Sequence, residues 1–319
     1  MSAAVVGGVR VPVFLFGWPG RGSFNASAAG AVDRLKAPLA ARGFEIAAQW
    51  LQAFDAPSRI EAISSVLSAG GTGLAIVHGG QGDEPVARLA PLHPSLQFAV
   101  TQGAVTGSNV ASYEVRQEDS AFLAGVLAAR TTRTGKVAHL SGERVRPGLL
   151  GRAAFVAGVQ AEAPGMPVLT AFCGHQHDPA LARHWASAMF DAGADVLFTM
   201  LDGGRPGAVD ACQERGTALI GNVEDWTLRE PEVCIASAIA DSGWGVERAV
   251  EDWLAGRFPA GSHVRVGVSN PAVVRLALAP RLQQAHAAAI EARTAALAAG
   301  DCIFAADYNG PEFAPAPPR

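Results

Sequence analysis

The fold of this chain is decided in residues 109–130, which read NVASYEVRQEDSAFLAGVLAAR. Ser112, Tyr113 and Val115 follow the pattern of an extended strand, whereas the apolar residues from position 121 onward recur at helical spacing. The acidic and hydroxyl side chains at 118–120 are of the kind that stabilise the first turn of a helix. The stretch therefore predicts a strand that passes abruptly into a strongly amphipathic helix.

The same alternation of β-branched and helical patterns extends in both directions from this junction. It predicts strands at 11–16, 44–50, 73–77, 97–100, 136–140, 167–172, 195–200 and 217–221, separated by helices at 25–42, 57–69, 83–91, 119–132, 149–163, 178–192 and 205–215. Such a rhythm is typical of an α/β protein with parallel sheets, here two Rossmann-like lobes. The last third adds an extended piece at 237–242, helices at 244–256 and 283–299, and a strand at 263–268.

We expect the chain to cross between the lobes three times, near 113–118, 237–242 and 262–275, which would make a three-segment hinge. The N-terminal lobe would comprise residues 8–116 plus 243–268, and the C-terminal lobe residues 117–242 plus 269–310. Residues 311–319 would be a tail without function. A cleft between such lobes, at the carboxyl ends of the strands, is the expected ligand site, and closure of the hinge would enclose the ligand.

Composition excludes several classes of function. The 319 residues are 49% hydrophobic and 17% charged, with a net charge of −4 and no basic run, which disfavours nucleic acid as a partner. No apolar run approaches the roughly 20 residues that a membrane span needs. The opening MSAAVVGG is too short for a secretory signal, so we expect either a cytoplasmic chain or a leader removed beforehand.

The four cysteines are Cys173, Cys212, Cys234 and Cys302. Buried free thiols are the favoured reading because free cysteine is among the most buried residue types. If one bridge exists, Cys212 with Cys234 is the first candidate, and the sequence leaves that choice open.

The loops after the predicted strands carry the candidate functional residues. A glycine-rich turn at 17–25 lacks both G-x-G-x-x-G and a phosphate-loop lysine, so it does not indicate a nucleotide cradle. His175 and His177 suggest a metal site, but Asp178 before a proline is typical of a helix cap, and no second cluster completes a coordination shell. No nucleophile motif accompanies the aspartates, so they indicate ligand acceptors and a protein that is not an enzyme.

Several motifs taken together are similar to one known family. They are Ser23-Phe24-Asn25, the helix at 121–130, and the segments TGKV at 134–137, GRAAFVAGV at 151–159, AGADV at 192–196 and IASAI at 235–239. The chain resembles the basic membrane protein (BMP, PnrA-like) family of solute-binding lipoproteins that serve ABC importers. The resemblance implies a type I periplasmic binding protein fold, purine nucleosides or nucleobases as ligands, and an ABC permease of the inner membrane as partner. It also implies a periplasmic, possibly lipid-anchored monomer without cofactor or metal.

By the same resemblance, the ring of Phe24 would stack on the ligand and Asn25 would reach its edge; core packing and helix capping are the alternative roles. Four positions depart from the family pattern. The usual aspartates are missing in the region 16–18 and at Thr101 or Gln102, the ribose-binding aspartate falls at Val223, and the usual lysine falls at Ala240. Losing these partners disfavours a ribose, so a bare nucleobase or a similar flat polar heterocycle is expected.

The predicted ligand-binding set consists of aromatic, amide, acidic and close-approach residues in those loops: Trp18, Phe24, Asn25, His78, Gly79, Gln102, Gln176, Met200, Asp202, Asn222, Asp225 and Asp241. Three alternatives stay open. The protein would be a nucleoside receptor of the same family, a cytoplasmic ligand-sensing domain of a regulator, or an α/β enzyme that uses Asp202, Asp225 or His78.

Overall fold

The computed structural model describes residues 8–19, 23–302, 304–305 and 307–315. They form two compact units. The first unit contains the described residues up to Val115 together with Ser242–Arg265, and the second unit contains Arg116–Asp241 and the described residues from Val266 onward. The chain therefore changes unit three times, after Val115, Asp241 and Arg265.

The first unit is built on a six-stranded sheet. In chain order its strands are β1 (Val9–Phe16), β2 (Phe44–Leu51), β3 (Leu74–His78), β4 (Gln97–Thr101), β5 (Val110–Val115) and β11 (His263–Val266), and their order across the sheet is β11-β5-β4-β3-β1-β2. Its helices are α1 (Ser23–Ala40), α2 (Ala56–Ser68), α3 (Asp83–Leu89) and α8 (Gly243–Leu254). All five residues of β3 are buried, which is why this strand reads as a continuous apolar run rather than an alternating one.

The second unit repeats this architecture with another six-stranded sheet. Its strands are β6 (Val137–Ser141), β7 (Val168–Phe172), β8 (Val196–Met200), β9 (Ala218–Val223), β10 (Cys234–Ala240) and β12 (Val274–Leu278), in the order β12-β10-β9-β8-β6-β7. Its helices are α4 (Gln117–Thr131), α5 (Arg146–Glu162), α6 (Pro179–Asp191), α7 (Arg205–Arg215) and α9 (Pro280–Ala299).

Helix α4 differs from its predicted character. It is buried on nearly every side from Gln117 to Ala128, so the expected amphipathic helix is wrong. The reason is its contact with α5, where a Cβ added at Gly125 would lie 2.1 Å from the Phe155 carbonyl oxygen, and one at Gly158 would lie 2.0 Å from that of Phe122. Two glycines thus let the helix backbones touch, and both helices pack inside the second unit.

Three further expectations need correction. Strand β12 was missed, and it pairs antiparallel with β10, so the second sheet is not wholly parallel. Glu118 and Asp119 lie in the first turn of α4, as expected, but neither caps it. The N-cap is Arg116 without a side-chain bond, and Asp119 accepts from the main-chain N–H of Val268 at 3.2 Å. Part of the segment predicted as a tail is joined to the second sheet, because the N–H of Phe313 donates to Thr170 of β7 at 2.8 Å.

All four cysteines are free thiols in the structure, so Cys212 and Cys234 are not bridged. Cys173, Cys212 and Cys234 are buried, whereas Cys302 is partly exposed. Among the described helices, none combines the length and apolar character that crossing a membrane requires.

Candidate functional site

The first unit brings three loop starts together because β1, β3 and β4 are neighbours in its sheet. We call the described residues that follow their carboxyl ends the first edge: 17–19, 23–25, 79–83 and 102–104. His78, the last residue of β3, lies at its centre. The His78 ring is 4.3 Å from the ring of Phe24, Nδ1 is 2.6 Å from Thr101 Oγ1, and Nε2 is 3.3 Å from the Phe24 carbonyl oxygen.

These contacts assign the protonation state of His78. The carbonyl of Phe24 only accepts, so Nε2 carries the proton and Nδ1 accepts from the Thr101 hydroxyl. Burial of the whole side chain lowers the pKa of His78 to about 4, which keeps the ring neutral at pH 7. Both ring nitrogens are hydrogen-bonded inside the protein, so His78 supports Phe24. The sequence had suggested a direct contact of His78 with the ligand instead.

The main chain of Phe24 is fixed from a second side. The hydroxyl of Ser242 donates to the Phe24 carbonyl at 3.1 Å, and the N–H of Gly243 donates to Ser27 Oγ at 2.8 Å. The start of α8 therefore holds the first turn of α1, and Phe24 sits in a frame of neutral hydrogen bonds.

Asn25 presents an oxygen atom at this edge. Its Nδ2 donates to the carbonyl of Phe16 at 2.9 Å, while Oδ1 is buried and has no hydrogen-bond partner among the described residues. A buried acceptor without a partner is costly, so it marks a place where a ligand donor would be favourable.

Trp18 packs on Phe54, with ring centroids 5.4 Å apart and planes inclined by 34°. The two side chains are 42% and 62% exposed. Phe54 was not among the predicted ligand-binding residues, although it is an aromatic residue in the loop that follows a predicted strand. The pair forms an exposed aromatic surface beside the first edge.

Two other predicted residues at this edge have structural roles. The amide of Gln102, oriented to match its neighbours, donates to the Val115 carbonyl at 3.3 Å and accepts from the Val115 N–H at 3.1 Å. Gln102 is thus not available to a ligand. Gly79 has φ of 101°, a conformation that favours glycine, and its N–H donates to Thr101 at 2.8 Å.

The second edge is the corresponding part of the second unit, where β7, β6, β8 and β9 are neighbours. It comprises residues 142–146, 173–178, 201–204 and 224–230, together with Asn222 near the end of β9. The carbonyl of Gln176 accepts from the N–H groups of Asp202 at 3.2 Å and Gly204 at 2.9 Å. A Cβ added at Gly142 would lie 2.5 Å from Gln176 Oε1, so that loop needs glycine there. Gln176 and Asp202 were both predicted as ligand-binding residues, and the structure places them next to each other, each in a loop held by main-chain hydrogen bonds.

Arg205, which the sequence analysis did not single out, is the largest fully buried side chain of the described residues. It donates to Leu201 O and to Asn222 Oδ1, and its guanidinium lies 4.2 Å from the ring centroid of Trp226. Burial lowers the pKa of Arg205 to about 10, although Asp202 and Glu224 act in the opposite direction. One feature of the sequence could have drawn attention to Arg205. It stands at the first position of a helix, where the helix dipole disfavours a positive charge.

The remaining candidates at the second edge divide by what their side chains already contact. Asp225 Oδ1 accepts from the N–H of Thr227 at 3.0 Å and from its hydroxyl at 2.5 Å, so this carboxylate oxygen closes its own turn. Met200 is buried beside Gly151. Asp241 is the last residue of its segment, and its N–H donates to Val273 at 3.0 Å.

The histidine pair has local partners instead of a metal shell. Asp178 caps α6 by accepting from the N–H of Leu181 at 3.0 Å, and His175 Nδ1 accepts from the N–H of His177 at 3.0 Å. Within the part of the chain that the structure describes, no group of three metal-ligating side chains is found.

Family comparison now adds to this geometry. Residues 11–293 match the model of a family described as ABC transporter substrate-binding protein, PnrA-like. The chain belongs to this family. The resemblance inferred from the turn at 23–25 and the helix at 121–130 is thereby confirmed, and the family is one of substrate-binding proteins.

Among curated proteins, this PnrA-like chain is 23% identical over 162 residues to a purine-binding protein of Brucella abortus, which covers 51% of the chain and 45% of the relative. It is 24% identical over 211 residues to the transcriptional activator protein med of Bacillus subtilis, which covers 64% of the chain and 66% of the relative. The matched part of the chain thus spans about half to two thirds of these relatives.

Solved structures show the same fold. A solute-binding protein of an ABC transporter system from Aeropyrum pernix has a TM-score of 0.80 and 23% identity, with 94% of each chain covered. A transcriptional activator of the comK gene from Bacillus halodurans has a TM-score of 0.76 and 18% identity, over 90% of this chain and 96% of that one. The expected α/β fold with two sheets of mostly parallel strands is confirmed.

Proposed function

We propose that the protein is the solute-binding receptor of an ABC importer and that it binds a purine base or a similar flat, polar heterocycle. In this proposal Phe24 stacks on the ring, and the polar groups of Asn25 and Asn222 are candidates for its edge. A permease of the inner membrane is the proposed partner, and a periplasmic, lipid-anchored monomer is the proposed form. Membership of a substrate-binding family and the purine-binding relative support this assignment.

The observation that carries the proposal is the frame around Phe24 and Asn25. The ring is backed by His78 at 4.3 Å, the Phe24 carbonyl is held by Ser242 at 3.1 Å, and the neighbouring Asn25 Oδ1 is buried without a partner in the part of the chain that the structure describes. A fixed aromatic face next to an unpaired acceptor suits a planar ring that carries an N–H donor at its edge. Such preorganisation lowers the cost of ordering side chains on binding.

The preference for a base over a nucleoside rests on two positions of the second unit. Val223 and Ala240, where the family resemblance places an acid and a lysine for the ribose, are both buried apolar residues. A ribose would bury hydroxyl groups against them without hydrogen bonds, and each such group costs about 1–3 kcal/mol.

A thermal-shift screen with purine bases, pyrimidine bases, nucleosides and amino acids tests the proposal. A ligand at 100 times its Kd adds about 2.7 kcal/mol to stability, which gives a clear rise in Tm. We expect hypoxanthine-like or adenine-like bases to raise Tm and nucleosides not to. A shift with inosine or guanosine but with no base would contradict the ligand assignment, and chemical conversion of the recovered base would contradict a receptor.

A second candidate function has its own support. The med protein and the comK activator are regulators of similar sequence or fold, so the same scaffold would serve as the ligand-sensing domain of a regulator. The genomic context of the coding sequence distinguishes the two. A signal peptide or lipobox supports the receptor, and a DNA-binding helix-turn-helix segment supports the regulator.

A further inference from the structure

Asn222 has its amide orientation imposed by Arg205. A guanidinium carries only hydrogen-bond donors, so the Asn222 atom that it contacts must be the oxygen. Arg205 itself is held in place, because it also donates to Leu201 O and lies 4.2 Å from the centroid of Trp226. The amide is therefore fixed with its nitrogen directed away from Arg205.

The nitrogen of this amide is left for another molecule. No described residue accepts a hydrogen bond from Asn222 Nδ2, although the side chain is only 7% exposed. The main-chain oxygen of Asn222 is already used by Trp226 Nε1 at 3.1 Å. The residue stands at the carboxyl end of β9, directly before Val223, whose φ of 70° is strained for a β-branched side chain. Such strain concentrates at binding sites, where the surrounding structure enforces it.

Retention of a buried cation here needs a reason other than stability. Removing a guanidinium from water is costly, and a well-packed apolar residue is often as stable in such a position. The lowered pKa of Arg205 has burial as its main cause, which agrees with a charge that the fold tolerates rather than favours. Orientation of the Asn222 amide is a role that an apolar side chain cannot fill.

We propose that Arg205 is a positioning residue that presents the NH2 group of Asn222 to the ligand, so that Asn222 selects a heterocycle with a hydrogen-bond acceptor, an oxo oxygen or a ring nitrogen, at this edge. The inference rests on the proposed function. It deepens it by stating the hydrogen-bond polarity that the second edge requires.

Asn222→Asp separates this role from a merely structural one. The aspartate keeps an oxygen for Arg205 but replaces the presented donor with an acceptor, whereas Asn222→Leu removes both. Without ligand, we expect Asn222→Asp to melt at least about 2 °C above Asn222→Leu, the shift for a single lost hydrogen bond in a protein of this size. A lower Tm for Asn222→Asp would show that the oxygen does not face Arg205 and would overturn the inference.

Ligand selection is then measured by calorimetry with the base that wild type binds most tightly and with its analogues. The analogues replace one acceptor at a time, by exchange of 6-oxo for 6-amino or of a ring nitrogen for C–H. We expect Asn222→Asp to weaken binding of the parent base at least tenfold. For one analogue the loss seen in wild type should disappear or reverse in the variant. Equal losses for every analogue in both proteins would overturn the inference, because a structural defect does not depend on the ligand's edge.

Arg205→Lys and Arg205→Met complete the test. Lysine still offers a donor to Asn222 Oδ1, so it should preserve the wild-type ranking of the analogues, whereas methionine should make their affinities more equal. An unchanged ranking with methionine would overturn the positioning role. If wild type binds no base at all, the proposed function fails, and the ligand-free Tm comparison still decides the orientation of the amide.

Discussion

The first and second edges occupy equivalent places in two similar sheets, but their chemistry differs. The first edge surrounds Phe24 with neutral partners, His78, Thr101 and Ser242. The second edge contains a buried guanidinium, Arg205, with Asp202 and Glu224 as opposing charges. Neutral, rigid surroundings suit an aromatic face that must stay flat and dry, whereas charged groups fix the direction of nearby dipoles. The two edges therefore differ in the electrostatic surroundings that they offer to a side chain.

The two asparagines express this difference most directly. Asn25 donates inward to Phe16 O and leaves its oxygen unpaired, whereas Asn222 accepts inward from Arg205 and leaves its nitrogen unpaired. The same residue type thus presents opposite polarity at the two edges.

Removing the stacking ring should have the largest effect on binding. Phe24→Ala should weaken binding of the base by roughly 5- to 150-fold, since stacking of a base on an aromatic side chain is worth about 1–3 kcal/mol. Trp18→Ala is the matched control, because Trp18 packs on Phe54 rather than on the His78 frame. Calorimetric titration of both variants decides between the rings, and a larger loss for Trp18→Ala would reassign the stacking role.

Asn25→Asp should lower stability, in contrast to the effect expected at Asn222. The substitution keeps an outward oxygen but sets a carboxylate against the Phe16 carbonyl, which then lacks its donor at 2.9 Å. Leaving a buried acceptor unpaired costs about 1–3 kcal/mol, and a charged neighbour adds to this. Denaturant unfolding of Asn25→Asp and Asn25→Ala measures the cost, with the aspartate expected to be at least as destabilised. Wild-type stability of Asn25→Asp would mean that the nitrogen does not face Phe16.

Sequence patterns were sufficient for most of the fold because buried parallel strands and their helices leave periodic signals. Strand β12 was missed since Val274–Leu278 is short and follows a proline-containing turn, and its pairing depends on β10, which lies far away in the chain. Helix α4 was given the wrong character because its burial depends on Gly125 and Gly158, a contact that spans separate helices.

The candidate site was less predictable, since residue type does not show which atoms are already bonded. Three residues are plausible ligand groups in the sequence, yet each already makes hydrogen bonds inside its own unit: Gln102, His78 and Asp225. Arg205 was overlooked because a cation at a helix start suggests an exposed residue, and only the fold places it beneath Trp226. The hydrogen bonds that a side chain already makes, rather than its residue type, distinguish groups that can contact a ligand from groups with a structural role.

The pH dependence of stability should contain one contribution from each unit. Burial lowers the pKa of His78 to about 4 and, together with Arg152, that of His139 to about 3. The pKa values of both histidines in the unfolded chain are near 6.5, so at acid pH the folded state binds fewer protons than the unfolded state. Their contribution is complete above about pH 6.5 and is lost as pH falls toward the folded values.

Between pH 6.5 and pH 5 each histidine should remove about 2 kcal/mol of stability. Urea unfolding at the two pH values, for wild type, His78→Asn and His139→Asn, checks this. In each single variant, the change in unfolding free energy between the two pH values should be smaller than in wild type. The decrease should be about half of the change that the two histidines cause together. If only one variant changes the slope, the two buried histidines are not equivalent, and the comparison between the units must be revised accordingly.

The smallest expected effect concerns the C-terminal segment of the second unit. Glu312 pairs with Arg144 and Arg152, and the Arg152 guanidinium lies 4.9 Å from the rings of both Phe172 and Tyr308. Partial burial opposes ionisation, but hydrogen bonds from Arg152 and Arg144 leave the pKa of Glu312 below its usual value. This cluster extends the charged character of the second unit to its C-terminal end.

Glu312→Gln keeps the shape of the side chain and removes its charge, so it should cost up to about 1 kcal/mol, less at high salt. Glu214→Gln is the control because its pair with Arg183 is about half exposed on both sides, with side-chain exposures of 49% and 50%, and should contribute less. Unfolding in low salt and in about 1 M salt, where the Debye length is near 3 Å, separates the two. Equal and negligible losses would mean that the tail is held by its main-chain bond from Phe313 to Thr170 and not by charge.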